Sequence, residues 1–78
     1  MEWIRESLAD GYELVGDINE NVVRLIVEHP NGKKVVQTKH MAQIDFDNCD
    51  LDNIRRYFSR PISKIQSKTP EQLQLLCN

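Results

Sequence analysis

The fold is decided by residues 22–38, which read VVRLIVEHPNGKKVVQT. Two runs rich in β-branched residues stand on either side of Pro30-Asn31-Gly32, and Asn-Gly between such runs is the strongest short-range signal for a β-hairpin. A tight turn that matches the twist of its strands needs positive φ at its centre, which Asn and Gly adopt at low cost. The stretch therefore predicts two antiparallel strands at the middle of the fold.

Upstream of the hairpin, the sequence predicts a short helix followed by a first strand. Ile4 and Leu8 are four residues apart, so they would share one face of a helix over residues 2–9. Gly11 would end that helix with a left-handed cap. Residues 12–18 alternate in the manner of a strand.

Downstream of the hairpin, the periodicity of the apolar residues becomes helical. Ile54 and Phe58 share one face of a helix, and Pro61 predicts the end of that helix at about residue 59, because the residue before a proline avoids helical angles. Residues 69–72, TPEQ, form a capping box that predicts the start of a final short helix.

These elements predict an α+β fold in one compact domain over residues 1–78. A small antiparallel β-meander of about three strands would pack against an N-terminal helix and two short C-terminal helices. For residues 39–44 the sequence does not distinguish between a strand continuation, a loop and an added short strand. Gly16 marks a bulge or a strand end. The side chains predicted to form the core are Trp3, Ile4, Leu8, Leu14, Leu25, Val27, Ile54, Phe58 and Leu73.

The size of the chain argues against an enzyme. A domain of 78 residues buries only about two thirds of its unfolded surface and has little room for a deep pocket. The sequence contains no Gly-rich phosphate loop, no G-x-S-x-G and no H-E-x-x-H. We therefore expect a protein that binds through an exposed face and catalyses no reaction.

Candidate metal ligands occur at spacings that do not favour a metal site. His29, His40, Cys49 and Cys77 could supply zinc ligands, but they lack the close paired spacing of structural zinc sites. The acidic group in residues 45–52 departs from the pattern of a calcium-binding EF-hand loop and is better explained by helix capping and a solvated face. The sequence predicts no metal and no other cofactor.

Several features predict a soluble cytoplasmic protein. Cys49 and Cys77 stand far apart, unlike the close-spaced cysteines of small secreted domains. Residues 1–7 lack the basic and apolar regions of a signal peptide. No apolar run approaches the roughly 20 residues that a membrane span needs. We expect no contact with a membrane.

The formal net charge of −2 is unevenly distributed along the chain. Residues 1–32 hold seven acidic and two basic residues, whereas residues 33–78 hold five acidic and eight basic residues. Such asymmetry can mark an interaction surface. It can equally reflect two halves that neutralise each other across the fold.

An acid-free basic stretch runs from Arg55 to Lys68, with two aromatic residues among its cations. It is compatible with a solvated helix face, a protein-docking surface or a nucleic-acid interface. Three lysines, Lys33, Lys34 and Lys39, add charge to the return strand of the hairpin, where lysine also protects a free sheet edge from association. The residues predicted to contact a partner are Arg55, Arg56, Arg60, Lys64, Lys33 and Lys34.

Three motifs carry a family resemblance: the hairpin closed at residues 31–33, the sequence DFD at residues 45–47, and a helix ending at residues 57–58 shortly before Pro61. In these motifs the chain resembles small phage-encoded anti-CRISPR proteins, which are compact α/β inhibitors of bacterial immune complexes. The resemblance implies an inhibitor, and no functional residue is transferred from it.

We expect a non-enzymatic protein-interaction module, an inhibitor or adaptor that binds a larger protein or protein complex as a monomer or a homodimer. The alternative is a nucleic-acid-binding protein that uses the basic face from Arg55 to Lys68. The acidic overall balance disfavours this alternative, because nucleic-acid-binding domains usually carry a basic excess.

Overall fold

The computed structural model describes residues 1–44 and 51–77, and within them four strands form one antiparallel sheet in the order β1-β2-β3-β4. The strands are β1 (Glu2–Ser7), β2 (Glu13–Asn19), β3 (Val22–His29) and β4 (Gly32–His40). Three helices follow, namely α1 (Leu51–Tyr57), α2 (Ser59–Gln66) and α3 (Pro70–Cys77). Single 3₁₀ turns lie at Ala9–Gly11 and Met41–Gln43.

The predicted α+β class is confirmed, but the three-stranded sheet and the N-terminal helix are wrong, and three helices follow the sheet where two were predicted. Residues 2–7 form β1, which pairs antiparallel with β2. An isolated helix of this length is marginal in water, whereas pairing with β2 gives the backbone of both strands hydrogen-bond partners. Asp10 and Gly11 do adopt left-handed angles, with φ of 56° and 79°, but they turn the chain from β1 into β2 instead of capping a helix.

The hairpin predicted for residues 22–38 is confirmed, and its turn differs from the predicted one. Pro30 and Asn31 connect β3 to β4, and the positive φ falls on Gly32, at 152°. The turn with positive φ at both central residues joins β2 to β3 instead, where Glu20 and Asn21 have φ of 50° and 67°.

A bulge in β1 brings Trp3 against Gly16. The pairing passes from Glu2 opposite Asp17 to Ile4 opposite Gly16, so Trp3 is the extra residue. Its indole N–H donates to the Asp17 carbonyl at 3.1 Å. A Cβ at position 16 would lie 2.4 Å from Trp3 Cε2, so glycine is needed there because of the close approach of the ring.

One hydrophobic core lies between the inner face of the sheet, the face on which the helices pack, and the helices themselves. Trp3 stacks on Phe58 with 5.6 Å between ring centroids. Of the predicted core, Ile4 and Leu8 are only partly buried. The predicted core residues found buried are Trp3, Leu14, Leu25, Val27, Ile54, Phe58 and Leu73.

Local sequence determines where the helices begin and end, and the role of Pro61 differs from the predicted one. Helix α1 ends at Tyr57, and the chain re-enters a helix at Ser59, so Pro61 lies in the first turn of α2 and does not end the helical region. A proline fits there because first-turn N–H groups have no intrahelical partner. The capping box is confirmed, since the Gln72 N–H donates to Thr69 Oγ1 at 3.3 Å and the Thr69 N–H donates to Gln72 Oε1 at 2.9 Å.

The outer face of the sheet, opposite the helices, carries ion pairs around two buried side chains. Val15 and Ile26 pair across β2 and β3 and are 2% and 1% exposed. Arg24 donates to both carboxylate oxygens of Asp17, at 2.8 and 2.6 Å, and this pairing lowers the pKa of Asp17. Arg5 pairs with three glutamates on the same face. Long arginine stems cover apolar surface well, which suits their position beside these side chains.

The contact between Trp3 and Gly16 makes the effect of a substitution at position 16 depend on the residue at position 3. Gly16→Ala should lower the free energy of unfolding by about 1–3 kcal/mol, because the new methyl group needs space that the indole occupies. In a Trp3→Leu background the same substitution should cost much less. Urea denaturation of the four proteins measures this coupling.

Gly11→Ala is the control, because φ is 79° there and a Cβ meets nothing within 4 Å. Its cost, about 1–2 kcal/mol of left-handed strain, should be the same in both backgrounds. An equal cost of Gly16→Ala in both backgrounds would contradict the close contact.

The pairing of Asp17 with Arg24 predicts a pH-dependent part of the stability. Because the folded pKa of Asp17 lies below the unfolded value of about 3.9, this stabilisation is complete above the unfolded value and is lost as pH falls through the folded one. Asp17→Asn should therefore lower the thermal midpoint by more at neutral pH than at pH 2. Glu20→Gln, at an exposed turn, serves as the control. An Asp17→Asn deficit of the same size at both pH values would contradict the prediction.

Candidate functional site

Six residues were predicted from the sequence to contact a partner. In the structure they lie in several separate places. Arg55 lies against β1, whereas Arg60 and Lys64 lie beside β4, at the opposite edge of the sheet. Lys33 and Lys34 are neighbours in a strand, so their side chains point to opposite faces. The six residues therefore do not form one continuous surface.

Arg55 is engaged with the backbone of the fold. Its Nε and Nη2 donate to the Trp3 carbonyl at 3.1 and 2.8 Å, and its Nη1 donates to Asp52 Oδ1 at 3.2 Å. These bonds attach α1 to the bulge in β1. A guanidinium with three nitrogens already bonded has fewer donors left for a partner.

A groove of about 620 Å³ lies between α2, β4 and the C-terminal part of α3. We call it the basic groove. Its rim carries Arg60, Lys64 and Lys68, and its apolar floor is formed by Val36, Ile65 and Leu76.

Local structure explains why these side chains meet. Arg60 and Lys64 are four residues apart, which places them along one side of α2, and Lys68 follows just after the end of that helix. Ile65 of the same helix is buried in the core. On the opposite side of α2, Gln66 donates to Glu6 of β1 at 2.6 Å. Helix α2 thus lies across the inner face with its cations toward β4.

A second bulge brings the edge strand into the groove. The pairing of β3 with β4 passes from Leu25 opposite Gln37 to Ile26 opposite Val35, so Val36 is the extra residue. Bulges of this kind change the direction of a side chain. Val36 is partly buried against the core and also lines the groove.

The rim cations have no ion-pair partner within residues 1–44 and 51–77, and no carboxylate of these residues lines the groove. By contrast, three arginines elsewhere, Arg5, Arg24 and Arg55, are all paired. Every ion pair of the described part joins residues of the same half of the chain, either within 1–32 or within 33–78. No described carboxylate therefore neutralises the rim cations by direct contact, and Arg60 and Lys64 are exposed.

The hairpin lysines lie apart from each other. Lys33 pairs in register with Glu28 on the outer face, whereas Lys34 pairs with Val27 on the inner face. Lys34 lies near Cys77 of α3, where burial raises the pKa of the thiol and the lysine charge partly offsets that effect. Arg56, on α1, is exposed and does not line the basic groove.

A smaller pocket, of about 450 Å³, lies on the outer face near the β3–β4 turn and includes Lys33. Its charges are largely satisfied within the fold, because Arg5 donates to Glu13 and Glu28. His29 stacks against Tyr12 at 4.4 Å, and its Nδ1 accepts the Asn31 N–H at 3.3 Å. The basic groove is therefore the stronger candidate site.

Metal binding and membrane insertion can be assessed only for the described residues. Within them no group of three or more His, Cys, Asp or Glu side chains could hold a metal ion. Of the acidic group predicted over residues 45–52, Asp45, Asp47 and Asp50 lie outside them, as does Cys49, whereas Asp52 lies in α1 and accepts a bond from Arg55. None of the described helices has the length and apolar character needed to cross a bilayer.

The sequence predicted part of the charged rim of the basic groove but not its apolar floor. Lys68 lies at the end of the basic stretch but is not among the predicted contact residues. Its spacing of four residues from Lys64 is the signal that could have identified it. The floor residues Val36 and Leu76 carry no comparable signal, because their meeting depends on the bulge in β4 and on the docking of α3.

Comparisons with known proteins give no family for this chain: no family model, no curated protein and no solved structure matches it. Its function is therefore argued from the basic groove.

Proposed function

We propose that this chain is a non-enzymatic protein-interaction module that binds an acidic segment of a larger protein through the basic groove. The observation that carries the proposal is a rim of three cations without ion-pair partners among the described residues, set above an apolar floor. The role would be that of an inhibitor or adaptor in the cytoplasm, in line with the resemblance to anti-CRISPR proteins.

The charge of the groove suits a protein partner with carboxylates. Charges left unpaired at a surface steer a complementary partner and select against others, while apolar contact supplies most of the affinity. The basic groove offers both, with Arg60 and Lys64 exposed and Ile65 only 2% exposed beneath them. An acidic segment with apolar side chains satisfies both properties.

A nucleic-acid partner is less well supported. Base stacking needs exposed aromatic rings among the cations. Phe58 is fully buried under Trp3, and Arg55 is bonded to the backbone of β1. Of the two aromatic rings in the basic stretch, only that of Tyr57 is exposed.

The proposal assigns the protein no catalytic role. His29 and His40 each accept a backbone N–H in a turn, from Asn31 and from Ala42. The raised pKa of Cys77 keeps its thiol protonated at neutral pH, which disfavours a nucleophilic role. A free thiol at this position also agrees with a cytoplasmic setting.

Two charge reversals of equal size test the proposal. Arg60→Glu should weaken binding of a labelled Glu-Glu-Val-Val repeat peptide by about tenfold, because one of the rim cations becomes repulsive. Arg56→Glu, an exposed position outside the groove, should have little effect at physiological salt, where charges more than about 8 Å away are screened. Fluorescence anisotropy measures both affinities.

Equal losses for the two variants would contradict the groove as the binding site. Tighter binding of a single-stranded oligonucleotide than of the peptide, with a steep decrease as salt increases, would assign the surface to nucleic acid.

A further inference from the structure

The basic groove borders a free sheet edge. In the described sheet β4 is the last strand, so alternate N–H and C=O groups along it point away from β3. Within residues 1–44 and 51–77, no backbone group of residues 33–39 hydrogen-bonds to any element other than β3. Most residues of β4 are exposed, although α3 packs against this strand, so these groups can pair with another extended chain.

The edge and the groove share residues. Val36 and Gln37 belong to β4 and also line the groove. Side chains of a strand laid along β4 would alternate between the two faces of the sheet. Those on the inner side would meet the apolar floor and the rim cations of α2.

The charge of the edge selects among possible strands. Lys33, Lys34 and Lys39 lie along β4, so a second copy paired through the same edge would bring lysines close to lysines, which is unfavourable. An acidic strand meets opposite charge on the edge itself and on the rim of the groove.

We propose that the basic groove receives its acidic segment in extended form, as a fifth strand paired with β4. This inference rests on the proposed function and adds the mode of binding. Main-chain hydrogen bonds to the edge would contribute affinity, and the groove would select the side chains. A helical segment would leave the edge groups of β4 unpaired, because its own backbone bonds are internal.

Backbone N-methylation of the Glu-Glu-Val-Val repeat peptide tests this mode, because in an extended chain this repeat places acidic and apolar side chains on both faces. One version carries methyl groups on the odd-numbered residues and a second version on the even-numbered ones, so each blocks the N–H groups along one edge of the strand. We expect one version to bind more than tenfold more weakly than the unmodified peptide, since only one edge faces β4. The other version should bind nearly as well as the unmodified peptide.

The outcomes separate the two proposals. Equal affinity of all three peptides, or an equal loss for both methylated versions, would overturn strand pairing. If the unmodified peptide still depends on Arg60 in that case, the proposed function stands without it. Sedimentation velocity tests whether a second copy of the chain occupies the edge of β4. A concentration-dependent dimer that the peptide does not dissociate would show that it does.

Discussion

The contact between the Trp3 ring and Gly16 is the constraint on which the rest of the structure depends. It can form because residue 16 has no side chain and because the bulge in β1 turns Trp3 toward the inner face. The same tryptophan stacks on Phe58, and its carbonyl accepts two bonds from Arg55. One residue therefore joins the N-terminal strand, the sheet and the junction of the first two helices.

This arrangement decides which cations face solvent. Arg55 is held at the β1 side by Trp3, and Arg5 and Arg24 are held by carboxylates on the outer face. With α2 lying across the inner face, Arg60 and Lys64 are directed toward β4, where the described chain provides no acid. Three of the five arginines are thus paired with carboxylates of the fold, whereas the rim cations have no such partner among the described residues.

Local signals in the sequence predicted much of the fold. The hairpin, the capping box at Thr69 and half of the buried hydrophobic residues follow from patterns within a few positions of one another. The strand β1 could not be predicted in this way, because the spacing of Ile4 and Leu8 equally suits a helix. Its conformation is determined by pairing with β2 and by the fit of Trp3, and both are tertiary contacts.

The candidate site was predictable only in part. Charge spacing along α2 identified Arg60 and Lys64, and the alternation of a strand already places Lys33 and Lys34 on opposite faces. The role of Arg55 depends on a carbonyl 52 positions away along the chain, which no local pattern reveals. The apolar floor depends on a bulge that sequence alone does not locate.

The most direct test of the basic groove is a map of backbone amide chemical shifts. The isotope-labelled protein would be titrated with the unmodified Glu-Glu-Val-Val repeat peptide. Binding at the groove and the edge predicts the largest shift changes along residues 33–39 and 60–68, and little change along residues 13–19. The largest changes on the outer face, around Arg5 and Arg24, would contradict the groove as the site of recognition.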